Sequence, residues 1–377
     1  MPGYSSASDD GSVAMREVFS EWYYPDDEVI AHIVTEGTIA LDANALLDLY
    51  RVGAGRRQEI LTALEKIGDR LFVPYQAAYE YQKNRTSALH DAQNTFDRVA
   101  EDLQKAAEDT LDTALKPIRD QAVRNEIREA FTGSFEAFKS KYAELRANHI
   151  LDLKEARTND PVRDELDRIA SGPRLGKKPS AQSLQERREE AQKRIDEGRP
   201  PGNADAKNKA DATGDYLVWA ELLEHAKNAN RPILFVTNDS KKGDWFSTVH
   251  GRIMGPLPEL VAEMAGASPG HSYHQVMLDS LLWLTNKYIN TKVSEDTIRT
   301  LRELKEITAL RSAKQLTARQ AALVAKLIAE ASSSNDNNLR KLEKRLIAHA
   351  MEGITISSDE DEPRDVEIAM RFAQEEA

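Results

Sequence analysis

The stretch TIALDANALL, residues 38–47, decides the fold of this chain. Residues 38–41 form a short, mainly apolar run, which is the pattern of a strand buried on both faces of a parallel sheet. Asp42 follows at once, and the alanine and leucine residues after it are typical of a helix. A second apolar run, residues 232–236, leads in the same way into residues 237–239, which end in an aspartate. Two neighbouring parallel strands that each deliver an acid at their carboxyl end are therefore predicted.

The acids of this chain that follow strands or begin helices suggest a metal centre. They are Asp42, Glu80, Asp215 and Asp239. In an open α/β sheet, ligands bind in the crevice outside the carboxyl ends of the strands. Carboxylate oxygens in a chain without cysteine suit a hard cation such as Mg²⁺ or Mn²⁺. Taken singly, each acid has a plainer explanation as a turn residue or as a helix-start acid favoured by the helix dipole. Together, they predict metal-assisted phosphate chemistry.

The overall composition predicts a soluble, cytoplasmic protein. The chain has 377 residues and no cysteine, and it lacks both a signal peptide pattern and an apolar run long enough for a membrane span. Its net charge of −12 argues against a nucleic-acid partner. However, residues 358–377 hold eight acids and two bases, so half of that charge lies in the last segment. The charge weakens the nucleic-acid interpretation without removing it.

The strands and carboxylates come from two parts of the chain, about 38–84 and 205–276, which a helical insertion at about 87–200 separates. The first part of the insertion predicts two long antiparallel helices, because its apolar residues recur with a 3.6-residue period. The predicted divisions are a disordered N-terminus (1–18), an α/β domain (19–290), a helical C-terminal module (291–352) and an acidic tail (353–377).

Several segments resemble the PIN-domain nucleases, and more closely their bacterial PIN-like branch with a long helical insertion. The segments are IALDANALLDLYR (39–51), VPYQ (73–76) with Glu80 to Arg85, GDYLVW (214–219), FVTNDSKKGDW (235–245) and GPLPEL (255–260). The resemblance covers roughly residues 20–290 apart from the insertion. It implies a three-layer α/β/α fold around a central, mainly parallel sheet, and a metal-dependent nuclease.

The resemblance also implies roles for individual residues. Asp42, Glu80, Asp215 and Asp239 would form the catalytic, metal-binding core, and Asn44 and Thr237 would orient these ligands through hydrogen bonds. Asp211 and Asp244 are further candidate ligands. Two positions depart from the family pattern: Asn238 stands where relatives often have a second acid, and Lys242-Gly243 replaces a Lys-Glu-like step before Asp244.

Bases next to the acids are candidate contacts for a phosphate backbone. They are Lys83, Arg85, Lys207, Lys209, Lys241 and Lys242. Most lysines and arginines are simply solvated surface residues, and this remains the alternative for each. The loop 198–210, rich in proline and glycine and then basic, is interpreted as a substrate-guiding flap.

We therefore expect an endonuclease that uses Mg²⁺ or Mn²⁺ in a two-metal mechanism, with RNA favoured over DNA as the substrate. A role in a toxin or phage-defence system is compatible with the family resemblance. The alternatives are a structure-selective DNA nuclease and a non-catalytic nucleic-acid-binding or scaffold protein with a vestigial site. The insertion and the C-terminal helices are candidate surfaces for a homo-oligomer or a protein partner.

Overall fold

The computed structural model of the protein describes residues 14–203, 212–239, 244–250 and 252–312. Its contacts divide the chain into two units, residues 1–301 and 302–377. The first unit extends past the predicted boundary at residue 290, because Val293, Ile298 and Leu301 are buried. The predictions for residues 1–13, for most of the C-terminal module and for the acidic tail lie outside the described residues.

The centre of the first unit is a four-stranded parallel sheet. In spatial order it consists of β2 (Leu71–Phe72), β1 (Thr38–Leu41), β3 (Ile233–Val236) and β6 (Tyr273–Val276). Leu41 pairs with Val236, so β1 and β3 end level with each other. This register brings the residues that follow the two strands, Asp42 and Thr237, to the same point of the sheet edge. The predicted parallel pairing and the predicted α/β class are confirmed.

The helices make up most of the remaining described structure. They are α1 (Met15–Val18), α2 (Asp27–Glu36), α3 (Ala43–Leu47), α4 (Ala54–Ile67), α5 (Tyr75–Leu115), α6 (Gln121–His149), α7 (Pro161–Ile169), α8 (Ala181–Glu197), α9 (Gly214–Ala229), α10 (Pro258–Ala267), α11 (Leu278–Ile289) and α12 (Glu295–Ser312). None of the helices within the described ranges is long and apolar enough to cross a membrane.

The helices pack in two groups around the sheet. Helix α2 contacts β1, β3 and β6 and packs against α11, which in turn packs against α4. Helix α9 packs against α5, α8 and α10. The strands between these groups are buried throughout, as the continuous apolar runs predicted.

The predicted pair of long antiparallel helices in the insertion is confirmed. Asp97 pairs with Arg146, and Asp112 pairs with Arg128, so α5 and α6 run in opposite directions. Helix α5 begins directly after β2 and continues without a break to Leu115. The insertion is therefore an extension of the helix that carries Glu80, and no break in structure marks its start near residue 87.

One local prediction was wrong, and one element was missed. Residues 15–18 were predicted to be disordered but form the short helix α1, which is closed by bonds such as Phe19 N to Met15 O at 3.0 Å. The sequence analysis also missed an antiparallel hairpin of β4 (Phe246–Val249) and β5 (Arg252–Pro256). Its strands lack a clean alternation of buried and exposed side chains, which is the signal that reveals a half-buried strand.

Candidate active site

Asp42 lies at the carboxyl end of β1 and caps the amino end of α3. Its Oδ1 accepts a hydrogen bond from the Ala43 N–H at 2.7 Å, and its Oδ2 accepts one from the Thr237 hydroxyl at 2.7 Å. The side chain is buried, with 7% of the residue exposed. The end of one strand and the residue after its neighbour thus fix both oxygens of a buried carboxylate.

Two further carboxylates act on Asp42. Burial is the largest cause that raises the pKa of Asp42 to about 7. The Thr237 hydrogen bond lowers this pKa, whereas the charges of Glu80 and Asp215 raise it. Since charges interact strongly only at short range in a folded protein, these effects indicate that Glu80 and Asp215 lie near Asp42. The sequence predicted that these acids form one site, and their joint role as metal ligands stays a prediction.

Glu80 reaches this crevice from the second turn of α5. Its Oε1 accepts a hydrogen bond from Gln76 Nε2 at 2.8 Å and lies against the backbone of Gly214 at the start of α9. A Cβ atom at position 214 would come within 2.5 Å of Glu80 Oε1. The two helices therefore come close at this point, and a larger residue at position 214 would displace the Glu80 carboxylate.

Asp215 occupies the first turn of α9, where the helix dipole favours an acid. The loop before α9 passes close to it: a Cβ atom at Gly202 would lie 3.5 Å from Asp215 Cβ. Gly202 also has a φ of 93°, a conformation that suits glycine.

The segment after β3 surrounds the Thr237 hydroxyl with hydrogen bonds. Besides donating to Asp42, Thr237 Oγ1 accepts bonds from Asn44 Nδ2 at 3.1 Å and from the Asp239 N–H at 3.2 Å. Asn44 Oδ1 accepts a bond from the Asn238 N–H at 2.8 Å. Asn44 and Thr237 therefore connect Asp42 to the backbone that carries Asp239.

The Asn238 side chain uses both of its polar ends, although the sequence departs from the family pattern here. Its Nδ2 donates to Asp48 Oδ2 at 2.5 Å, and its Oδ1 accepts from the Leu278 N–H at 3.0 Å. An aspartate would lose the donor and would place a second carboxylate beside Asp48. Asparagine at this position therefore fits its surroundings.

Asp244, another candidate ligand, contacts the loop that passes close to Asp215. Asp244 is fully buried, and its Oδ1 accepts a bond from the Gly202 N–H at 2.9 Å. Arg194 Nη1 donates to Pro200 O at 2.9 Å in the same loop. These contacts hold residues 198–203, the described part of the loop that was interpreted as a substrate-guiding flap. Asp211 lies outside the described residues.

The candidate phosphate contacts divide into three cases. Lys83 is exposed on α5. Arg85 instead donates to the buried Asp160 at 2.7 Å, and its side chain is 13% exposed. This contact accounts for the guanidinium within the protein. Four lysines lie outside the described residues, namely Lys207, Lys209, Lys241 and Lys242.

The residue types of the crevice fit a hard divalent cation, because their side-chain donors are carboxylate oxygens. In the part of the chain that the structure describes, no three acidic or histidine side chains are close enough together to hold one ion. The sequence analysis missed Glu221, which contacts the start of α5. This contact depends on the packing of segments that are distant in the sequence, so no local pattern marks it.

Comparison with known proteins identifies a family. A family model described as PIN like domain matches residues 38–260. This range begins at the first residue of β1 and includes Asp42, Glu80, Asp215 and Asp239. Neither the search of curated proteins nor the search of solved structures found a match.

Proposed function

Because the chain belongs to the PIN-like domain family, we propose that it is a divalent-metal-dependent endonuclease that hydrolyses RNA. The observation that carries the proposal is the buried Asp42 carboxylate, whose pKa is raised by burial and further by the charges of Glu80 and Asp215. Such a strongly perturbed acid in a crevice is typical of a functional site.

The acids of the crevice supply the binding site in this proposal. Asp42, Glu80, Asp215 and Asp239 hold Mg²⁺ or Mn²⁺, and Thr237 and Asn44 keep the Asp42 carboxylate in one orientation. A bound divalent cation provides Lewis-acid stabilisation of phosphate charge and lowers the pKa of a bound water. Its positive charge also offsets the mutual repulsion of the carboxylates, which burial strengthens. Asp211 and Asp244 are further candidate ligands in this scheme.

The substrate is the less constrained part of the proposal. RNA follows from the family resemblance, and the exposed Lys83 on the helix of Glu80 offers a contact for a backbone phosphate. We also place the enzyme in the cytoplasm, in a toxin or phage-defence setting where RNA cleavage is held in check. A structure-selective DNA nuclease and a non-catalytic nucleic-acid-binding protein are the competing functions.

One experiment separates these three functions. The purified full-length protein is incubated with labelled single-stranded RNA, single-stranded DNA and duplexes, in Mn²⁺, in Mg²⁺ or in EDTA. We expect metal-dependent cleavage of RNA that Asp42→Asn abolishes, because this variant removes a ligand charge at almost constant volume. Glu224→Gln serves as the control, because Glu224 is an exposed acid on the same helix as Asp215.

Each competing function has its own outcome. Preferential cleavage of a DNA structure would show that the protein is a structure-selective DNA nuclease. Binding without cleavage in any metal would favour the non-catalytic protein. Cleavage by Asp42→Asn at the wild-type rate would show that a different site or a contaminant is responsible.

A further inference from the structure

Helix α5 is capped by a residue from another helix. Its amino end follows Pro74, and no side chain of the flanking residue caps it. Glu221 of α9 supplies the cap instead: its Oε2 accepts a hydrogen bond from the Tyr75 N–H at 2.5 Å, and its Oε1 accepts one from the Gln76 N–H at 3.0 Å. A carboxylate at this end of a helix satisfies otherwise unpaired N–H groups and interacts favourably with the helix dipole.

The surroundings of Glu221 leave little room for another arrangement. Glu221 is buried, with 7% of the residue exposed. A Cβ atom at Gly176 would come within 2.4 Å of Tyr75 N and 2.8 Å of Glu221 Oε2. Gly176 N in turn donates to Val73 O at 2.8 Å, which holds this segment beside the start of α5. The cap is therefore enclosed by backbone on the side of Gly176.

The cap and the acidic crevice are two ends of one helix–helix contact. Glu221 contacts the first residues of α5, whereas Gly214 at the start of α9 lies against Glu80. The two helices thus run antiparallel between these points. Gln76 connects them, because its N–H donates to Glu221 while its side-chain Nε2 donates to Glu80 Oε1.

We propose that Glu221 is a positioning residue that sets the register of α5 against α9, and thereby places Glu80 and Asp215 around Asp42. The inference rests on the proposed function for its catalytic consequence. The register itself is a property of the fold and can be measured separately. Loss of the cap would free α5 to shift along α9, and Glu80 would move relative to Asp215.

The first measurement is a distance, which does not depend on activity. The chain has no cysteine, so Ser87→Cys and Lys227→Cys introduce two unique sites for spin labels on exposed positions of α5 and α9. With a rise of 1.5 Å per residue, the two sites are roughly 25 Å apart along the helix axes, which suits pulsed electron–electron double resonance. We expect Glu221→Ala to broaden the distance distribution or to shift its mean by about 1.5 Å or more, the rise of one residue.

The second measurement is the affinity of the unlabelled full-length protein for Mn²⁺, determined by calorimetry. Residues that support metal ligands typically contribute about 10–100-fold to affinity, so Glu221→Ala should weaken Mn²⁺ binding by about tenfold. Glu221→Gln keeps one acceptor and should lie between the wild type and Glu221→Ala in both measurements. It also preserves the test if Glu221→Ala does not fold. Glu224→Ala, which removes an exposed acid one turn further along α9, should change neither quantity.

The outcomes distinguish the role of Glu221 in the register of the helices from the effect of that register on metal binding. Wild-type distances in Glu221→Ala and Glu221→Gln would overturn the inference, whatever the enzyme does. Altered distances with wild-type Mn²⁺ affinity would overturn the link from register to the site. If the wild type itself bound no Mn²⁺, the proposed function would fail, and the distance measurement would still decide whether Glu221 sets the register.

Discussion

Two buried aspartates of this protein have opposite surroundings. Asp160 is fully buried and accepts hydrogen bonds from the Tyr50 hydroxyl at 2.7 Å, from Arg85 at 2.7 Å and from the Arg163 N–H at 3.1 Å. Asp42 receives a hydroxyl and one amide, and it faces the charges of Glu80 and Asp215. Folding thus supplies Asp160 with a cation, whereas it surrounds Asp42 with like charges. A buried carboxylate among like charges, as at Asp42, lowers the stability of the fold. This is expected where the charge is needed to bind a ligand.

The largest effect should come from breaking the Asp160 group. Asp160→Ala leaves the Arg85 guanidinium without its partner in a site where only 13% of the side chain is exposed. Removal of one partner from a buried pair typically costs about 3–5 kcal/mol. Urea unfolding should show a loss of this size for Asp160→Ala. A loss below about 1 kcal/mol, the range of exposed pairs, would contradict the contrast between the two sites.

Removal of the Asp42 charge should raise the unfolding free energy of the metal-free protein, whereas removal of Asp160 lowers it. Since the pKa of Asp42 rises from 3.8 to about 7 on folding, the folded state binds the proton more tightly than the unfolded state. The stability contribution of Asp42 therefore falls as the pH rises from about 4 to about 7 and stays low above that range.

Asp42→Asn removes this dependence on pH. In EDTA, the unfolding free energy of the variant minus that of the wild type should therefore be larger at pH 8 than at pH 4. Each pKa unit corresponds to about 1.4 kcal/mol, so the pKa shift from 3.8 to about 7 sets the upper limit of this difference. Urea unfolding at both pH values measures the difference. Parallel curves for the two proteins across this range would refute the raised pKa.

A smaller effect is expected from the hydroxyl that supports Asp42. Thr237→Val keeps the shape of the side chain and removes the donor to Asp42, together with the acceptor for Asn44 and Asp239. A hydrogen bond to a charged group contributes about 1.5–3 kcal/mol. Because this bond lowers the Asp42 pKa, its loss should move the acidic limb of the pH–rate profile to higher pH. Thr237→Ser should retain the wild-type profile; a shift in both variants would point to packing instead.

The sequence predicted the sheet and its acidic edge for a simple physical reason. Strands buried on both faces read as continuous apolar runs, and the carboxyl ends of parallel strands meet at one edge. Asp42 and Thr237 therefore came together as expected, because the register of β1 and β3 is level. Glu80 and Asp215 were predicted as ligands because each lies near a helix start close to a strand, and their role as ligands stays a prediction.

The partners of buried polar groups were not predictable in the same way. Glu221 caps Tyr75 and Gln76, from which it is separated by 146 and 145 positions in the sequence. Arg85 pairs with Asp160, which is 75 positions away. No local pattern marks such contacts, because they depend on how complete helices pack. This is why Arg85 was predicted as a phosphate contact and Glu221 was not predicted at all.

The most direct test of the central claim, that the acidic crevice around Asp42 binds a divalent cation, is the thermal unfolding of the full-length protein with and without Mn²⁺. A ligand that binds only the folded state raises its stability, by about 2.7 kcal/mol at 100 times the dissociation constant. The account predicts that Mn²⁺ raises the melting temperature of the wild type and leaves that of Asp42→Asn unchanged. An equal rise in both proteins, or no rise in the wild type, would contradict it.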